Sequence, residues 1–344
     1  VMKALSNFIE RLWYGRVARY WPVIVLLLPL SLLFLIVSRI RKNMLLNHQA
    51  VLPVPVIVVG NISVGGTGKT PLLCALAGAL TKRGVRVGII SRGYGGTQGD
   101  TPYLISKDDD PRAVGDEPLL LTRATDCPVV IARNRLEAAK FLSAQRIVDV
   151  ILSDDGMQHY ALPRNVEIAV LDGQRNLGNG LLLPAGPLRE SPSRLQSVNF
   201  VVRNSTAEIP QHNTVSGVHS INVKLIPQCW VSVKTGEVLP LGALEKNAIV
   251  HAVAGIGNPQ RFFLTLQRLG FSAIKHAFPD HHVFIEHDFS FNDKNIVLMT
   301  EKDAVKCMSF AKENWYALRV AMPLPEAWVD AVWQTAQKKQ KKVV

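Results

Sequence analysis

The stretch "SVGGTGKTP", residues 63–71, lies between an apolar segment, "PVPVIVVGN" (53–61), and a segment with helical spacing of apolar residues (70–82). Its three glycines free the backbone to turn successive N–H groups toward one point, as a loop that binds phosphate oxygens requires. The order of strand, glycine-rich loop and helix therefore predicts a nucleoside triphosphate site. The residues expected to contact the nucleotide are Ser63, Gly65, Gly66, Thr67, Gly68, Lys69 and Thr70.

Two side chains carry the chemistry of this loop, which follows the Walker A pattern GxxxxGK[ST]. Lys69 is expected to reach the outer phosphates, and the Thr70 hydroxyl is expected to ligate Mg²⁺. Ser63 stands at the pattern's first glycine, which any residue can replace if that position has ordinary backbone angles. Pro71 suits the first helical turn, where its missing N–H costs nothing. The alternative is a structural glycine-rich turn without a ligand.

A second phosphate-site signature is "VDVILSDDGMQ" (148–158), an apolar strand that ends in two carboxylates. Asp154 and Asp155 would stand at the carboxyl end of this strand, where a Walker B carboxylate faces Mg²⁺. A surface turn would give the same pattern, but the Walker A loop upstream favours metal binding. No guanine-recognition motif of the NKxD type is present, so ATP is the expected nucleotide.

Apolar runs alternate with helical segments through the first half of the chain. Continuous apolar runs of this kind are typical of strands buried on both faces of a parallel sheet. We therefore predict an α/β fold, with a parallel sheet of the P-loop NTPase type flanked by helices. The further strands are expected at 85–93, 127–132, 147–155 and 166–172, with a helix at 135–145.

The composition of the sequence changes past about residue 205, where a polar, turn-rich segment (206–220) is a candidate linker. An alternating segment (221–242) predicts a β-hairpin region, and strand-to-helix patterns follow at 248–271 and 294–306. These patterns indicate a second, smaller α/β lobe, with a cleft between the lobes. The expected domains are a membrane anchor (1–45), a P-loop core domain (46–215), the second lobe (216–330) and a basic tail (331–344).

The anchor is expected from "YWPVIVLLLPLSLLFLIVS" (20–38), which carries no charged residue. At about 1.5 Å per residue, such a helix spans about 28 Å, close to the hydrocarbon thickness of a bilayer. Basic residues flank both ends, so the positive-inside rule leaves the orientation open. Pro22 and Pro29 also permit a kinked helix that only dips into the membrane. A cleaved signal peptide and a buried core helix are the alternatives.

The charge and the cysteine content of the chain limit the kinds of binding partner that are expected. The chain of 344 residues has a formal net charge of +12, which suits nucleic acid, an anionic membrane or phosphorylated substrates. The sequence has no recognisable nucleic-acid reader motif, so a nucleic-acid partner is not expected. The 4 cysteines form no CxxC pair, which argues against a zinc site and a disulfide framework.

A kinase, unlike a switch NTPase, needs a base beside an acceptor pocket. "GDEP" (115–118) and "FPDHHVF" (278–284) supply carboxylates and histidines, although a lone residue of either type is more often structural. An Asp–His pair across the cleft would orient the aspartate and make it the base for a hydroxyl acceptor.

Eight motifs in fixed order closely resemble those of the tetraacyldisaccharide 4'-kinase family, the lipid A 4'-kinases of Gram-negative bacteria. The resemblance covers about residues 5–330, and the ordered set is far more specific than any single motif. The motifs are "GNISVGGTGKTP", "SRGYGG" (91–96), "GDEP", "LSDDGMQH" (152–159), "PAGPLRE" (184–190), "AGIGNPQRFF" (254–263), "PDHH" and "TEKDAVK" (300–306).

This resemblance implies a membrane-associated lipid kinase that moves the γ-phosphate of ATP to the 4'-hydroxyl of a tetraacyldisaccharide 1-phosphate. Asp116 would be the base and His281 its partner, with Asp280 orienting the histidine; His282 is the alternative to His281. Glu117 would join Thr70, Asp154 and Asp155 around Mg²⁺. Residues expected at the lipid A precursor are Arg92, Tyr94, Arg135, Gln158, His159, Arg189 and Glu190.

The resemblance also implies an anionic inner-membrane surface as a partner, with the catalytic domain on the cytoplasmic face and no obligate protein partner. The rival function is a membrane-bound transport or partitioning P-loop ATPase, which would hydrolyse ATP and make no lipid product. A non-catalytic nucleotide sensor is a third reading, but the intact Lys69, Thr70 and Asp154–Asp155 pair argue against it.

Overall fold

The computed structural model describes residues 2–15, 17–46, 49–205 and 218–340. The predicted linker (206–220) therefore lies almost entirely outside the described residues, as does the end of the basic tail. The chain divides into two compact units. The first unit comprises Val1–Lys69, Leu142–Lys224 and Leu324–Val344, and the second comprises Thr70–Phe141 and Leu225–Pro323.

The described part of the chain contains nine α-helices and fourteen strands. The helices are α1 (Met2–Tyr14), α2 (Val17–Leu46), α3 (Lys69–Thr81), α4 (Pro111–Val114), α5 (Asp116–Ala124), α6 (Arg135–Ala144), α7 (Pro259–Arg268), α8 (Glu301–Cys307) and α9 (Glu326–Gln340). The strands are β1 (Val56–Gly60), β2 (Val87–Ser91), β3 (Tyr103–Leu104), β4 (Val129–Ile131), β5 (Val150–Asp154), β6 (Val166–Asp172), β7 (Phe200–Asn204), β8 (His219–Val223), β9 (Ile226–Ser232), β10 (Val238–Pro240), β11 (Ile249–Ala254), β12 (Ser272–Ala277), β13 (Ile296–Thr300) and β14 (Trp315–Ala321).

The first unit is built on five parallel strands in the order β5-β1-β6-β7-β8. Every residue of β1, β5 and β6 is buried, which is why these segments read as continuous apolar runs in the sequence. In β1, Val59 pairs with Asp154 of β5, so the strand that feeds the glycine-rich loop ends beside the predicted Walker B carboxylate. The predicted α/β class with a large parallel sheet is confirmed.

The N-terminal helices are packed on the first unit rather than standing free. Ile24 of α2 is buried with Leu12 of α1 and Ala185 in one apolar cluster. Ser31, also buried, donates a hydrogen bond to the carbonyl of Leu182 (3.0 Å) and accepts one from the amide of Ala185 (3.1 Å). These two bonds satisfy the hydroxyl and fix one face of α2 against the segment that follows β6.

The other face of α2 is apolar and exposed, with Leu26 at 76% and Trp21 at 60% exposure. The described residues contain one helix long and apolar enough to cross a membrane, Arg19–Leu46, judged by length and composition. Pro22 and Pro29 both lie inside α2.

The second unit carries two groups of strands. Strand β4 pairs with β2 in parallel and with β3 antiparallel. A six-stranded mixed sheet has the order β10-β9-β14-β13-β11-β12, in which β9 and β10 form the predicted hairpin. The strand-to-helix patterns at 248–271 and 294–306 become β11 with α7 and β13 with α8.

Helix α8 is held in place by a fully buried carboxylate, Asp303. Its oxygens accept hydrogen bonds from the amide of Gly255 (3.0 Å) and the hydroxyl of Thr300 (2.7 Å), and pair with Lys306 (2.8 Å). Thr300 in turn caps the helix by accepting from the amide of Asp303. The cap and the Asp303 contacts thus hold the first turn of α8, which carries Lys302.

Both units are assembled from separated stretches of chain, whereas the sequence analysis expects contiguous domains, whose boundaries stay a prediction. The described part of the expected basic tail, residues 331–340, continues α9. In that helix Val332 and Ala336 are buried, and Gln340 donates a hydrogen bond to the carbonyl of Leu52 (2.8 Å).

The Asp303 anchor predicts a large stability loss on substitution. Asp303→Asn leaves the ammonium of Lys306, whose side chain is 9% exposed, without its counter-charge. We expect a loss of about 3–5 kcal/mol in unfolding free energy, measured by urea titration, because a lone buried charge is costly. The control is Glu313→Gln, which breaks the solvent-exposed Lys234–Glu313 pair and should change little. Equal effects of the two changes would contradict the anchor role.

Candidate functional site

The glycine-rich loop of the first unit has the backbone that its glycines allow. Gly65 and Gly68 have φ angles of 112° and 95°, a region that side-chain-bearing residues rarely adopt. The Nδ2 amide of Asn204, at the end of β7, donates to the carbonyl of Thr67 (3.1 Å), and it fills the space that a Cβ on Gly68 would need. Glycine is therefore required at position 68 for conformation and for space.

The "PAGPLRE" segment runs antiparallel along this loop. The amide of Arg189 donates to the carbonyl of Ile62 (2.7 Å), and the amide of Val64 donates to the carbonyl of Pro187 (2.8 Å). Ser63 forms a β-bridge with Leu188 and is buried. These bonds place two motifs that are more than a hundred residues apart in sequence side by side.

Asp155 connects the Walker A lysine to the "PAGPLRE" arginine. Its two oxygens lie 3.5 Å from Nζ of Lys69 and 3.1 Å from Nη1 of Arg189. The φ angle of Asp155 is 46°, a left-handed conformation that an aspartate adopts more readily than most residues. Three predicted site residues are thus in direct ionic contact.

Asp154 is 2% exposed at the carboxyl end of β5. Carboxylate and hydroxyl oxygens are the ligands that Mg²⁺ prefers, so Asp154 and Asp155 supply suitable donor chemistry. Thr67 of the same unit is buried, and its hydroxyl makes no hydrogen bond among the described residues. The donor set fits a nucleotide-bound Mg²⁺.

Gln158 and Glu190 belong to one partly buried polar network in the first unit. Nε2 of Gln158 donates to the carbonyl of Asn61 (3.0 Å) and to Glu190 (2.8 Å). Glu190 also accepts from the hydroxyl of Tyr160 and pairs with Arg194 (3.2 Å). Burial and the nearby Glu190 charge raise the pKa of the Tyr160 phenol, so this hydroxyl stays protonated as a donor. The network ties the Walker B turn to the residue that follows β1.

The second unit brings Asp116 and His281 together. Nδ1 of His281 lies 3.1 Å from each carboxylate oxygen of Asp116. Asp116 opens α5 and is 6% exposed, and one of its oxygens also accepts from the amide of Glu117 (2.8 Å). The backbone of His281 is left-handed (φ 58°), and its amide donates to Asp280 (3.1 Å). Of the two adjacent histidines, His281 is the one that reaches the aspartate.

The two groups shift each other's protonation. The hydrogen bond with Asp116 raises the pKa of His281, against the opposing effects of burial and the Lys302 charge. Burial alone would raise the pKa of Asp116, but the hydrogen bond from His281 and the charge of Lys302 bring that pKa below its usual value. Asp116 is therefore an ionised acceptor at neutral pH.

Lys302 of α8 lies against this pair. Its ammonium is 2.8 Å from Glu117, 3.0 Å from Asp280 and 3.4 Å from Nε2 of His281. The side chain is 14% exposed, and these carboxylates, against the cost of burial, raise its pKa above the ordinary value. The contact of Glu117 with Lys302 gives this predicted metal ligand a different partner in the structure.

Four further residues that the sequence analysis names lie in the second unit, each in a different setting. Tyr94 is exposed, and its ring centroid lies 5.0 Å from that of His281. Arg92 is exposed in the loop after β2, and Arg135 is buried at the start of α6. His282 instead bonds to Asp288 (3.0 Å) inside an aromatic cluster, which gives it a structural setting.

Several residues that shape the site escape the sequence analysis. Lys302 lies inside a quoted motif, yet only the fold shows that it meets the Asp116–His281 pair. Asn204 stands at the carboxyl end of an apolar strand, which is the position that identifies Asp154 as a candidate. A single asparagine at such a position predicts no particular function, so the sequence does not select it. Tyr160 has no local signal, because its partner Glu190 is 30 residues away in sequence. Arg194 is only four residues from Glu190, but it lies just after the quoted motif "PAGPLRE".

A glycine-rich loop between a buried parallel strand and a helix, with a carboxylate pair ending the neighbouring strand, defines the first unit as a P-loop nucleotide-binding fold. The family model for tetraacyldisaccharide-1-P 4'-kinase matches residues 23–337. The chain belongs to this family, and it is a kinase.

Curated relatives carry the name tetraacyldisaccharide 4'-kinase. The protein of Legionella pneumophila (strain Lens) is 44% identical over 335 residues, which covers 97% of this chain and 98% of that protein. That of Hahella chejuensis is 45% identical over 333 residues, covering 94% of this chain and 95% of that protein. The crystal structure of LpxK from Aquifex aeolicus in complex with ATP is 29% identical, has a TM-score of 0.74, and covers 91% of this chain and 99% of that one.

The loop geometry predicts opposite effects of two glycine substitutions. Gly68→Ala places a Cβ against Asn204 at a φ angle of 95°, so we expect a loss of more than about 1 kcal/mol. Gly78→Ala lies inside α3 with no atom within 4 Å of the added Cβ, so we expect a gain of about 0.5–1 kcal/mol. Thermal unfolding of both variants measures these changes, and a Gly68→Ala protein as stable as the parent would disprove the packing argument.

The Asp116–His281 pair predicts a pH-dependent stability term. Since the folded state raises the pKa of His281, its stabilisation is complete below about pH 6.5, the unfolded value, and is lost as pH rises through the raised pKa. The melting-temperature difference between the parent and His281→Gln should therefore shrink from mildly acidic to alkaline pH. A difference that grows with pH would reverse this sign and contradict the pairing.

Proposed function

We propose that this chain transfers the γ-phosphoryl group of ATP to the 4'-hydroxyl of a tetraacyldisaccharide 1-phosphate, with Asp116 as the base. The observation that carries the proposal is the contact of His281 with both carboxylate oxygens of Asp116, in a member of a kinase family. A hydroxyl acceptor must lose a proton, and Asp116 is a buried, ionised carboxylate that can take it.

In the proposed reaction, one bond to the γ-phosphorus forms as another breaks. The 4'-oxygen forms a bond to the γ-phosphorus while the bond from that phosphorus to the β–γ bridging oxygen breaks, leaving ADP. The hydroxyl proton moves to an oxygen of Asp116. Hydrogen bonding from His281 fixes the carboxylate so that one oxygen faces the incoming hydroxyl.

The glycine-rich loop is proposed to hold the phosphates of ATP through Ser63, Gly65, Gly66, Thr67, Gly68, Lys69 and Thr70. The ATP complex of the Aquifex aeolicus protein supports this assignment. Asp155 lies between Lys69 and Arg189, so bound phosphate would compete with this carboxylate for both cations.

Thr70, Asp154 and Asp155 would hold Mg²⁺, which when bound neutralises charge on the β- and γ-phosphates. Glu117 remains a proposed ligand only if it leaves Lys302, its partner at 2.8 Å.

The acceptor is proposed to lie among Arg92, Tyr94, Arg135, Gln158, His159, Arg189 and Glu190. Arginines suit this role because a planar guanidinium binds phosphate through two parallel hydrogen bonds. Arg189 already engages a carboxylate at 3.1 Å, so it is oriented to bind an anion. The ring of Tyr94 beside His281 offers a surface for a sugar face near the proposed base.

The lipid substrate requires a membrane surface, and α2 offers an exposed apolar face for one. We propose that this helix anchors the chain at an anionic inner membrane of a Gram-negative bacterium, with the catalytic residues on the cytoplasmic face. The net charge of +12 favours an anionic surface.

The direct test follows label from [γ-³²P]ATP into lipid, with Mg²⁺ and tetraacyldisaccharide 1-phosphate in detergent micelles. We expect labelled lipid from the parent protein and none from Lys69→Ala, which lacks the cation for the outer phosphates. ATP hydrolysis without labelled lipid would instead support a transport or partitioning ATPase and sink the kinase proposal.

The base assignment has its own prediction. Asp116→Asn should lower kcat by about 10²–10⁴-fold with ATP binding unchanged, because general-base catalysis contributes this much. The matched control is Asp293→Asn, which breaks another Asp–His pair of the second unit, Asp293–His251 at 3.0 Å, and should keep normal turnover. Full activity in Asp116→Asn would remove Asp116 as the base.

A further inference from the structure

The ammonium of Lys302 occupies an unusual position against the Asp116–His281 pair. It lies 3.4 Å from Nε2 of His281, on the opposite side of the ring from the Nδ1 atom that contacts Asp116. It is also 4.0 Å from Asp116 itself. Lys302 has no part in the proposed proton transfer to Asp116, and no sequence motif singles it out.

The chemistry of an ammonium restricts the histidine. A lysine ammonium carries three N–H donors and no acceptor, so it can bond to a ring nitrogen only through that nitrogen's lone pair. Nε2 of His281 must then be unprotonated, and the proton of the neutral ring must sit on Nδ1. From there it is donated to Asp116, whose oxygens both lie 3.1 Å away.

The opposite tautomer is disfavoured at both ends. A proton on Nε2 would point at the Lys302 ammonium, so that two hydrogen-bond donors would face each other. The Nδ1 lone pair would then face the two carboxylate oxygens of Asp116, so that hydrogen-bond acceptors would face each other. Lys302 and Asp116 are largely shielded from water, with 14% and 7% side-chain exposure, and His281 is 29% exposed.

The surrounding structure keeps Lys302 in place. Glu117 and Asp280 accept two of its hydrogen bonds, at 2.8 and 3.0 Å, leaving the third N–H for the ring. The backbone comes from the first turn of α8, which Asp303 and Thr300 anchor. A lysine with two carboxylate partners and a fixed helix has little freedom to turn away.

We propose that Lys302 is a positioning residue that fixes His281 in the Nδ1–H tautomer and thereby orients Asp116 as the base. This inference rests on the proposed kinase function for its catalytic consequence. Its structural part, the tautomer, stands independently of any substrate. The selection of one histidine tautomer by a neighbour is a general way of orienting a catalytic pair.

The test combines nitrogen NMR with kinetics on the full-length protein in detergent micelles. The parent and Lys302→Met proteins are labelled with ¹⁵N-imidazole histidine and recorded at alkaline pH, where the ring is neutral. His281→Gln identifies the signal among the 9 histidines. We expect the parent to show an unprotonated Nε2 and a protonated Nδ1 at position 281, and Lys302→Met to populate the Nε2–H form.

The kinetic expectation follows from the tautomer. Methionine matches the length of lysine, so packing is largely kept while the cation is lost. We expect kcat of Lys302→Met to fall about tenfold to a hundredfold, with the KM for ATP within about twofold, since the base is misoriented and the nucleotide loop is untouched. Lys302→Arg, which restores a cation, should recover part of the lost kcat.

A matched control lies beside the same helix. Arg319→Met, a change on β14, breaks the ion pair between Arg319 and Glu301 of α8, at 2.9 Å, without touching the Asp116–His281 pair. It should leave both the His281 signal and kcat unchanged. Melting temperatures of all variants report whether any loss reflects unfolding.

The possible results of these experiments distinguish the tautomer proposal from its alternatives. An Nε2–H tautomer in the parent overturns the proposal without any variant, as does a Lys302→Met protein with normal kcat. A fall in kcat with the tautomer unchanged also overturns it, because Lys302 would then act in another way. If the parent protein labels no lipid, the kinase proposal fails, while the NMR result still decides the tautomer.

Discussion

Parallel strands place their carboxyl ends at one edge of a sheet, and the first unit depends on that constraint. Strand β1 leads into the glycine-rich loop, β5 ends at Asp154 and β7 ends at Asn204. The loop carbonyl of Thr67 therefore accepts a hydrogen bond from the Asn204 amide, and β1 ends beside Asp154, the carboxylate proposed to bind Mg²⁺. One topological fact thus assembles the phosphate loop from three distant stretches of chain.

Burial of charge organises the second unit in a comparable way. An ammonium, two carboxylates and an Asp–His pair share a small, largely shielded volume around Lys302. Such groups are stable there only because each has a partner, since an isolated buried charge is costly. The same requirement restricts the protons, so the arrangement that satisfies the fold also selects the protonation of His281.

The N-terminal helices connect the apolar surface to the phosphate loop within the first unit. The hydroxyl of Tyr14 donates to the carbonyl of Val64 (3.2 Å), and the indole of Trp13 donates to the carbonyl of Pro184 (3.1 Å). With Ser31 of α2 also bonded to this region, the apolar helix is a structural part of the first unit as well as its proposed membrane anchor.

The sequence by itself determined the α/β class, the phosphate loop and the strand-end carboxylates, because hydrophobic period and glycine positions act locally. It also predicted Asp116 and His281 as partners, although only through the order of motifs shared with a family. Tertiary structure alone decided that His281 rather than His282 meets Asp116, that Lys302 joins them, and that Tyr160 reaches Glu190. These contacts depend on which distant segments pack together, and no local pattern of residues encodes that.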